Sequence, residues 1–222
     1  MMSREAPFLE KTHLAAAEKD AIATVAAAMV ADGDAIAFGP GTTTLSLARL
    51  LTNREDLTVV TNSILVSQAL QEAPGIHLLL SGGLVRSATH ALVGPIAEQS
   101  LAGLFVTTLF LSGNGLTAAR GLSTPDVLTA AVDRRLAASA ARVVVLADYT
   151  KVGVETMSLT VAIDEIDTVI TDPQADPEEL ERLRDAGVEV VVAGQPETEA
   201  GTADTLDPNG RAHSVDAAAS PA

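Results

Sequence analysis

The 222-residue sequence contains no cysteine and no tryptophan, one tyrosine and four phenylalanines. Without cysteine there is neither a disulfide framework nor a thiolate zinc site. The four histidines, His13, His77, His90 and His213, are scattered and lack the i, i+4 spacing of a helical metal site. So few aromatics rule out a stacking platform for single-stranded nucleic acid. Cations are scarce too: 14 Lys and Arg stand against 29 Asp and Glu, a net charge of −15. Such a surface repels a phosphate backbone unless its cations cluster, so this chain by itself is not expected to bind DNA. No apolar run reaches the 18 or so residues of a membrane helix, and no signal peptide opens the chain. The expectation is a cytoplasmic protein without membrane contact, metal or cofactor.

What is abundant is apolar residue, 47% of the chain, much of it alanine. Short apolar runs at Ile36–Phe38, Leu57–Thr61, Ile76–Leu80, Leu104–Leu111, Val143–Ala147, Thr168–Thr171 and Val188–Val192 read as strands. Between them, helical spacing predicts helices over Leu14–Ala31, Thr42–Leu51, Ile64–Glu72, Gly94–Leu101, Pro125–Ala140 and Asp176–Ala186. Alternation of this kind predicts an α/β fold, Rossmann-like, with a mainly parallel sheet and helices on both faces. Residues 1–13 read as an entry segment and 14–193 as one domain. Residues 194–222, rich in Ala, Gly, Thr, Pro and acids, read as a disordered acidic tail.

In open parallel sheets, ligands bind beyond the carboxyl ends of the strands. Here five strand ends in turn carry Gly39-Pro40-Gly41-Thr42-Thr43-Thr44, Thr61-Asn62-Ser63, Ser81-Gly82-Gly83, Gly113-Asn114-Gly115 and Asp148-Tyr149-Thr150-Lys151. The first is a strand, a glycine turn and a helix start with three hydroxyls. Such a helix start offers free N–H groups and the positive end of a dipole to an anion. Taken alone, it also describes an ordinary βα connection with a threonine cap. Hydroxyls, amides, approachable backbone and a lysine together suit a phosphorylated sugar. Lys151 carries weight because the chain has only two other lysines, Lys11 and Lys19. Arg86 and His90 sit just past the Gly82-Gly83 turn, on a loop placed to fold over a ligand.

Gly-Thr-Thr-Thr (41–44), Val-Val-Thr-Asn-Ser (59–63), Leu-Leu-Leu-Ser-Gly-Gly (78–83), Leu-Val-Gly (92–94), Phe-Leu-Ser-Gly-Asn-Gly-Leu (110–116), Gly-Leu-Ser-Thr-Pro-Asp (121–126), Val-Val-Val-Leu-Ala-Asp-Tyr-Thr-Lys-Val-Gly (143–153) and Val-Ile-Thr-Asp (169–172) follow in that order. Together they resemble the C-terminal sensor domain of DeoR-family bacterial transcriptional regulators, over roughly Glu18 to Val192. The resemblance implies a fold similar to ribose-5-phosphate isomerase and the CoA transferases, and a domain that binds a phosphorylated sugar or related metabolite and relieves repression. It implies a homo-oligomer, a dimer or tetramer, and DNA contact only through a winged helix-turn-helix for which the short entry segment leaves no room. By position, Gly41, Thr42, Thr43 and Thr44 would cradle phosphate; Thr61, Asn62, Gly82, Gly83, Gly113 and Asn114 would line the sugar; Asp148 and Lys151 would close the far side. Four positions depart from the family's common pattern: an acid often stands at Gly39, an Asp near Thr107, a Glu near Thr129 and a Lys near Asp133. Losing those acids removes hydroxyl acceptors, which implies a different sugar phosphate or a weakened pocket. The alternative reading is a sugar-phosphate isomerase-like enzyme on the same fold, with Asp148 and Lys151 as base and electrophile.

Overall fold

The computed structural model describes residues 8–194; the residues before Phe8 and the expected tail beyond Gly194 lie outside the described residues. In chain order the elements are α1 (Phe8–His13), α2 (Ala16–Ala27), β1 (Ala35–Phe38), α3 (Thr42–Leu50), β2 (Leu57–Thr61), α4 (Ile64–Leu70), β3 (Ile76–Leu80), β4 (Leu84–Arg86), β5 (Ala91–Val93), α5 (Pro95–Ser100), β6 (Val106–Leu111), β7 (Gly115–Thr117), β8 (Gly121–Thr124), α6 (Val127–Ala138), β9 (Ala140–Leu146), β10 (Ser158–Ala162), β11 (Thr168–Thr171), α7 (Pro177–Asp185) and β12 (Glu189–Val192).

Seven strands form one sheet in the order β12-β11-β9-β6-β1-β2-β3, every neighbouring pair parallel. The order grows outward from β1 on one side and from β6 on the other. This is the Rossmann-like arrangement, and its switch point lies between β1 and β6. The sheet is covered on both faces. Ile36 and Phe38 of β1, Phe110 of β6 and Val144 and Leu146 of β9 pack with α2, α3 and α4. Their strand neighbours Ala37, Leu109, Leu111, Val143 and Val145 point the other way, toward α5, α6 and α7. The two-residue alternation of a strand thus serves two cores at once, which is why these runs are continuously apolar.

The structure differs from the sequence-based expectation in three places. The first helix is not continuous from Leu14: Ala15 is left-handed, with φ 53° and ψ 43°, and separates α1 from α2. Helix α6 begins at Val127 rather than Pro125, because Asp126 is extended and its side chain caps the helix by accepting from Thr129 N–H. Five short strands were not expected: β10-β8-β7 form an antiparallel sheet and β4-β5 an antiparallel hairpin. Runs of three to five residues are too short to display a period.

Candidate functional site

The polar strand ends at the switch point become one cleft. Helix α3 starts behind Gly41, which is extended and has no side chain to offer, so no side chain caps the first turn. By contrast, Ser63, Asp126 and Asp176 cap α4, α6 and α7 with their side chains. The uncapped N–H groups at Thr42 and Thr43 therefore face a cleft lined also by Pro40, Gly41, Ser112, Gly113, Asn114, Thr124, Thr129, Asp133 and Asp148. Phe8, Lys11 and Leu14 close it from the α1 side, Thr89 from the β4–β5 hairpin, and Lys19 and Lys151 complete the wall.

All three lysines of the chain line this cleft. Lys19 is 4% exposed, and its Nζ donates to the carbonyls of Lys11 and Leu14. It stands 3.9 Å from the Asp148 carboxylate. Asp148 is itself held, its Oδ1 accepting from the Thr150 N–H and the Thr150 hydroxyl. Burial lowers the pKa of Lys19; Asp148 opposes this, while Lys151 and Lys11 add to it. Burial likewise lowers Lys151, again against the pull of Asp148. Lys19 and Lys151 share the influence of Asp148, with Glu18 also acting on Lys19, and an anion in the cleft would stabilise their charged forms further.

Asp133 of α6 also lines the cleft and is 2% exposed. Its Oδ1 has no hydrogen-bond partner among the described residues. Burial pushes its pKa up to about 8, with Arg134 opposing and Asp126 adding to the rise. The same oxygen is 3.7 Å from where a Cβ on Gly39 would sit, a position also claimed by Leu111 Cδ1. The acid missing at Gly39 is thus returned to the neighbourhood by a helix. Thr107, another departing position, lies at the opposite end of its strand and donates to Ala35 O.

Of the residues expected at the site, the cleft gathers Gly41, Thr42, Thr43, Gly113, Asn114, Asp148 and Lys151. The others lie outside its lining, with partners of their own. Thr44 donates to Gly41 O, and Thr61 donates to Phe38 O while accepting from Ser63 N–H. Asn62 donates to Leu92 O, tying β2 to β5. Gly82 packs beside Ile96; Gly83, at φ 128°, has Val93 O where a Cβ would be, 2.8 Å away. Arg86 pairs with Asp126 at 3.2 Å and donates to Thr89 Oγ1. His90 adopts φ 52°, sets its ring edge-on to Phe8 and accepts from Ile64 N–H through its carbonyl. The loop carrying Arg86 and His90 is therefore an anchored hairpin, and Thr89 is its contribution to the cleft.

Sequence reading did not place Lys19 or Asp133 among the site residues, Asp133 entering only as a departure from the family's common pattern. Lys19 sits in an alanine-rich helix far from any strand end, though the scarcity of lysine was a usable signal. Asp133 lies mid-helix, and only the packing of α6 against β6 turns it inward.

Fold and cleft define a Rossmann-like α/β domain with a polar pocket at its switch point. Comparison with known proteins is specific. Residues 14–173 match the family described as the DeoR C terminal sensor domain. The chain is 34% identical over 186 residues to a putative aga operon transcriptional repressor of Escherichia coli O157:H7, covering 84% of this chain and 69% of that protein. It is 36% identical over 173 residues to the HTH-type transcriptional regulator GlpR of Haloferax volcanii, covering 78% and 68%. It is 35% identical over 184 residues to the lactose phosphotransferase system repressor of Staphylococcus aureus, covering 82% and 72%. Among solved structures, ribose 5-phosphate isomerase A of Methanocaldococcus jannaschii aligns with a TM-score of 0.47 at 19% identity, over 62% of this chain and 54% of that one. The chain belongs to the DeoR C-terminal sensor family; it is the effector-sensor domain of a DeoR-type transcriptional regulator.

Proposed function

We propose that the cleft binds a phosphorylated sugar or related phosphorylated metabolite without turning it over, and that binding modulates repression. One observation carries this reading: every lysine of a chain with net charge −15 converges on one cleft, beside a helix N-terminus that no side chain caps. Thr42 and Thr43 hold the phosphate through N–H groups and hydroxyls, Gly41 lets the backbone approach, and Lys19 and Lys151 supply charge. Gly113 and Asn114 meet the sugar, and Asp148 orients the lysines. Thr44, Thr61, Asn62, Gly82, Gly83, Arg86 and His90 hold these groups from behind. DNA contact is assigned to a helix-turn-helix module of the regulator, acting in the cytoplasm as a dimer or tetramer. Coupling between two such sites is typically 1–3 kcal/mol.

Isothermal calorimetry with hexose and pentose phosphates tests the reading. Binding weakened about ten- to a hundredfold by Lys151→Ala and by Thr43→Ala supports it; no binding by any sugar phosphate overturns it. A second reading, an isomerase-like enzyme, is favoured by Asp133, whose pKa of about 8 suits proton transfer near neutral pH. Turnover of ribose 5-phosphate followed by NMR would establish it in place of the sensor without catalysis.

A further inference from the structure

Burying a polar group without a partner costs free energy, so a carboxyl oxygen held that way beside a cleft needs a reason. Asp133 is such a group: 2% exposed, lining the cleft, with no hydrogen bond to its Oδ1 from any described residue. Its neighbours cannot serve it. Thr129, one turn earlier on α6, spends both its N–H and its hydroxyl on Asp126 Oδ1 at 2.8 Å. Arg134 points away and donates to Leu159 O. Arg86 is paired with Asp126. Beside Gly39 the neighbour is the apolar Leu111 side chain. Lys19 is committed to Asp148 and two carbonyls, and Lys151 lies under the influence of Asp148 and Lys11. The lysines and Asp133 line the same cleft, and no lysine is among the charges that act on Asp133, so its unpartnered Oδ1 is a feature separate from the cations.

We propose that Asp133 is the specificity residue of the cleft, taking a hydrogen-bond-donating substituent, hydroxyl or amine, on the part of the ligand away from its phosphate. This rests on the phosphate reading above and sharpens it: the effector is not recognised by phosphate alone. A hydroxyl finds in Asp133 both acceptor and donor, since burial keeps the acid largely protonated near neutral pH. An ammonium group instead forms a buried ion pair with the carboxylate, the proton of Asp133 passing to solvent, with net proton release on binding.

The test is calorimetry on the whole chain with inorganic phosphate, glucose 6-phosphate, 2-deoxyglucose 6-phosphate, glucosamine 6-phosphate and fructose 6-phosphate. Wild type is compared with Asp133→Asn and with the apolar Asp133→Leu, each first shown to melt cooperatively. If Asp133 selects the ligand, the variants change the affinity ratio between sugar phosphates by about tenfold or more. Inorganic phosphate keeps its affinity within about twofold, because the phosphate end is untouched. Loss confined to the amino sugar in Asp133→Asn, with buffer-dependent heat in wild type, identifies an amine; loss appearing only in Asp133→Leu identifies a hydroxyl. A uniform factor across all five probes, or no change in any, overturns the role of Asp133 while leaving the phosphate reading intact. A wild-type chain that binds none of the five overturns both.

Discussion

Asp133 illustrates how much one side chain draws from its surroundings. In the unfolded chain its carboxyl titrates near 3.8, and in the fold at about 8. Between those values the folded state holds a proton that the unfolded state has released. Its contribution to stability is therefore complete below pH 3.8 and is lost as pH rises through about 8, at up to ~1.4 kcal/mol per pH unit. Asp133→Asn cannot ionise. Its melting temperature is expected to fall less between pH 5 and pH 9 than that of the wild type, as read by scanning calorimetry; parallel pH profiles would show that Asp133 is already ionised in the fold. Asp126, on the same helix, behaves in the opposite sense. Burial raises its pKa, but the hydrogen bonds from Thr129 and the charge of Arg86 outweigh burial and leave it lowered. Two aspartates seven positions apart thus differ only in what was packed against them. The types of the residues around α3 were readable because hydroxyls and glycines at a helix start have few uses. The state of Asp133 was not, because an aspartate in a helical stretch looks like a solvent-facing one until the sheet is laid beside it.

Among the elements, α1 has the most direct mechanical consequence. Phe8, Lys11 and Leu14 lie over the cleft. A sugar phosphate entering past α1 is expected to shift it, and the left-handed Ala15 between α1 and α2 is the natural pivot, since a non-glycine residue there is already costly. Saturating amounts of a binding sugar phosphate are expected to change amide hydrogen exchange in residues 8–15 more than in α4 or α7. Unchanged exchange across 8–15 in a saturated sample would show that the ligand enters without moving α1. The hairpin β4–β5 plays the opposite part: its pairing with Asn62 and Asp126 through Leu92 and Arg86 makes it a fixed wall. Neither role was legible beforehand. Short antiparallel ribbons carry no periodicity, and the break at Ala15 lies in alanines that are all good helix formers.

For the whole molecule, charge sets the first expectation. In a chain at −15 whose three lysines all line one cleft, the remaining cations are arginines outnumbered by 29 acids, a poor surface for a phosphate backbone. This 222-residue chain is expected to leave operator DNA unshifted in a gel at physiological salt, with or without sugar phosphate. A salt-sensitive shift would show that the remaining arginines form a basic face after all. At the same scale the seven-stranded parallel sheet follows from apolar runs that alternate with helices, and its two-sided burial from runs with no polar face.

The sequence alone determined the parallel α/β architecture, because strand and helix periods are local and repeat along the chain. It also determined the glycine–threonine turn and Lys151 at the strand ends, since a parallel sheet necessarily brings those ends to one side. Tertiary structure decided which of them share a cleft. The order of strands, a non-local choice, put β1 beside β6, so Gly41, Thr42, Thr43, Gly113 and Asn114 came together while Thr61, Asn62, Gly82 and Gly83 moved into supporting roles. Packing of α2 and α6 on opposite faces then brought in Lys19 and Asp133, one buried cation and one buried acid whose properties come from desolvation. Desolvation depends on what lies around a residue in space, and no pattern along the chain records it.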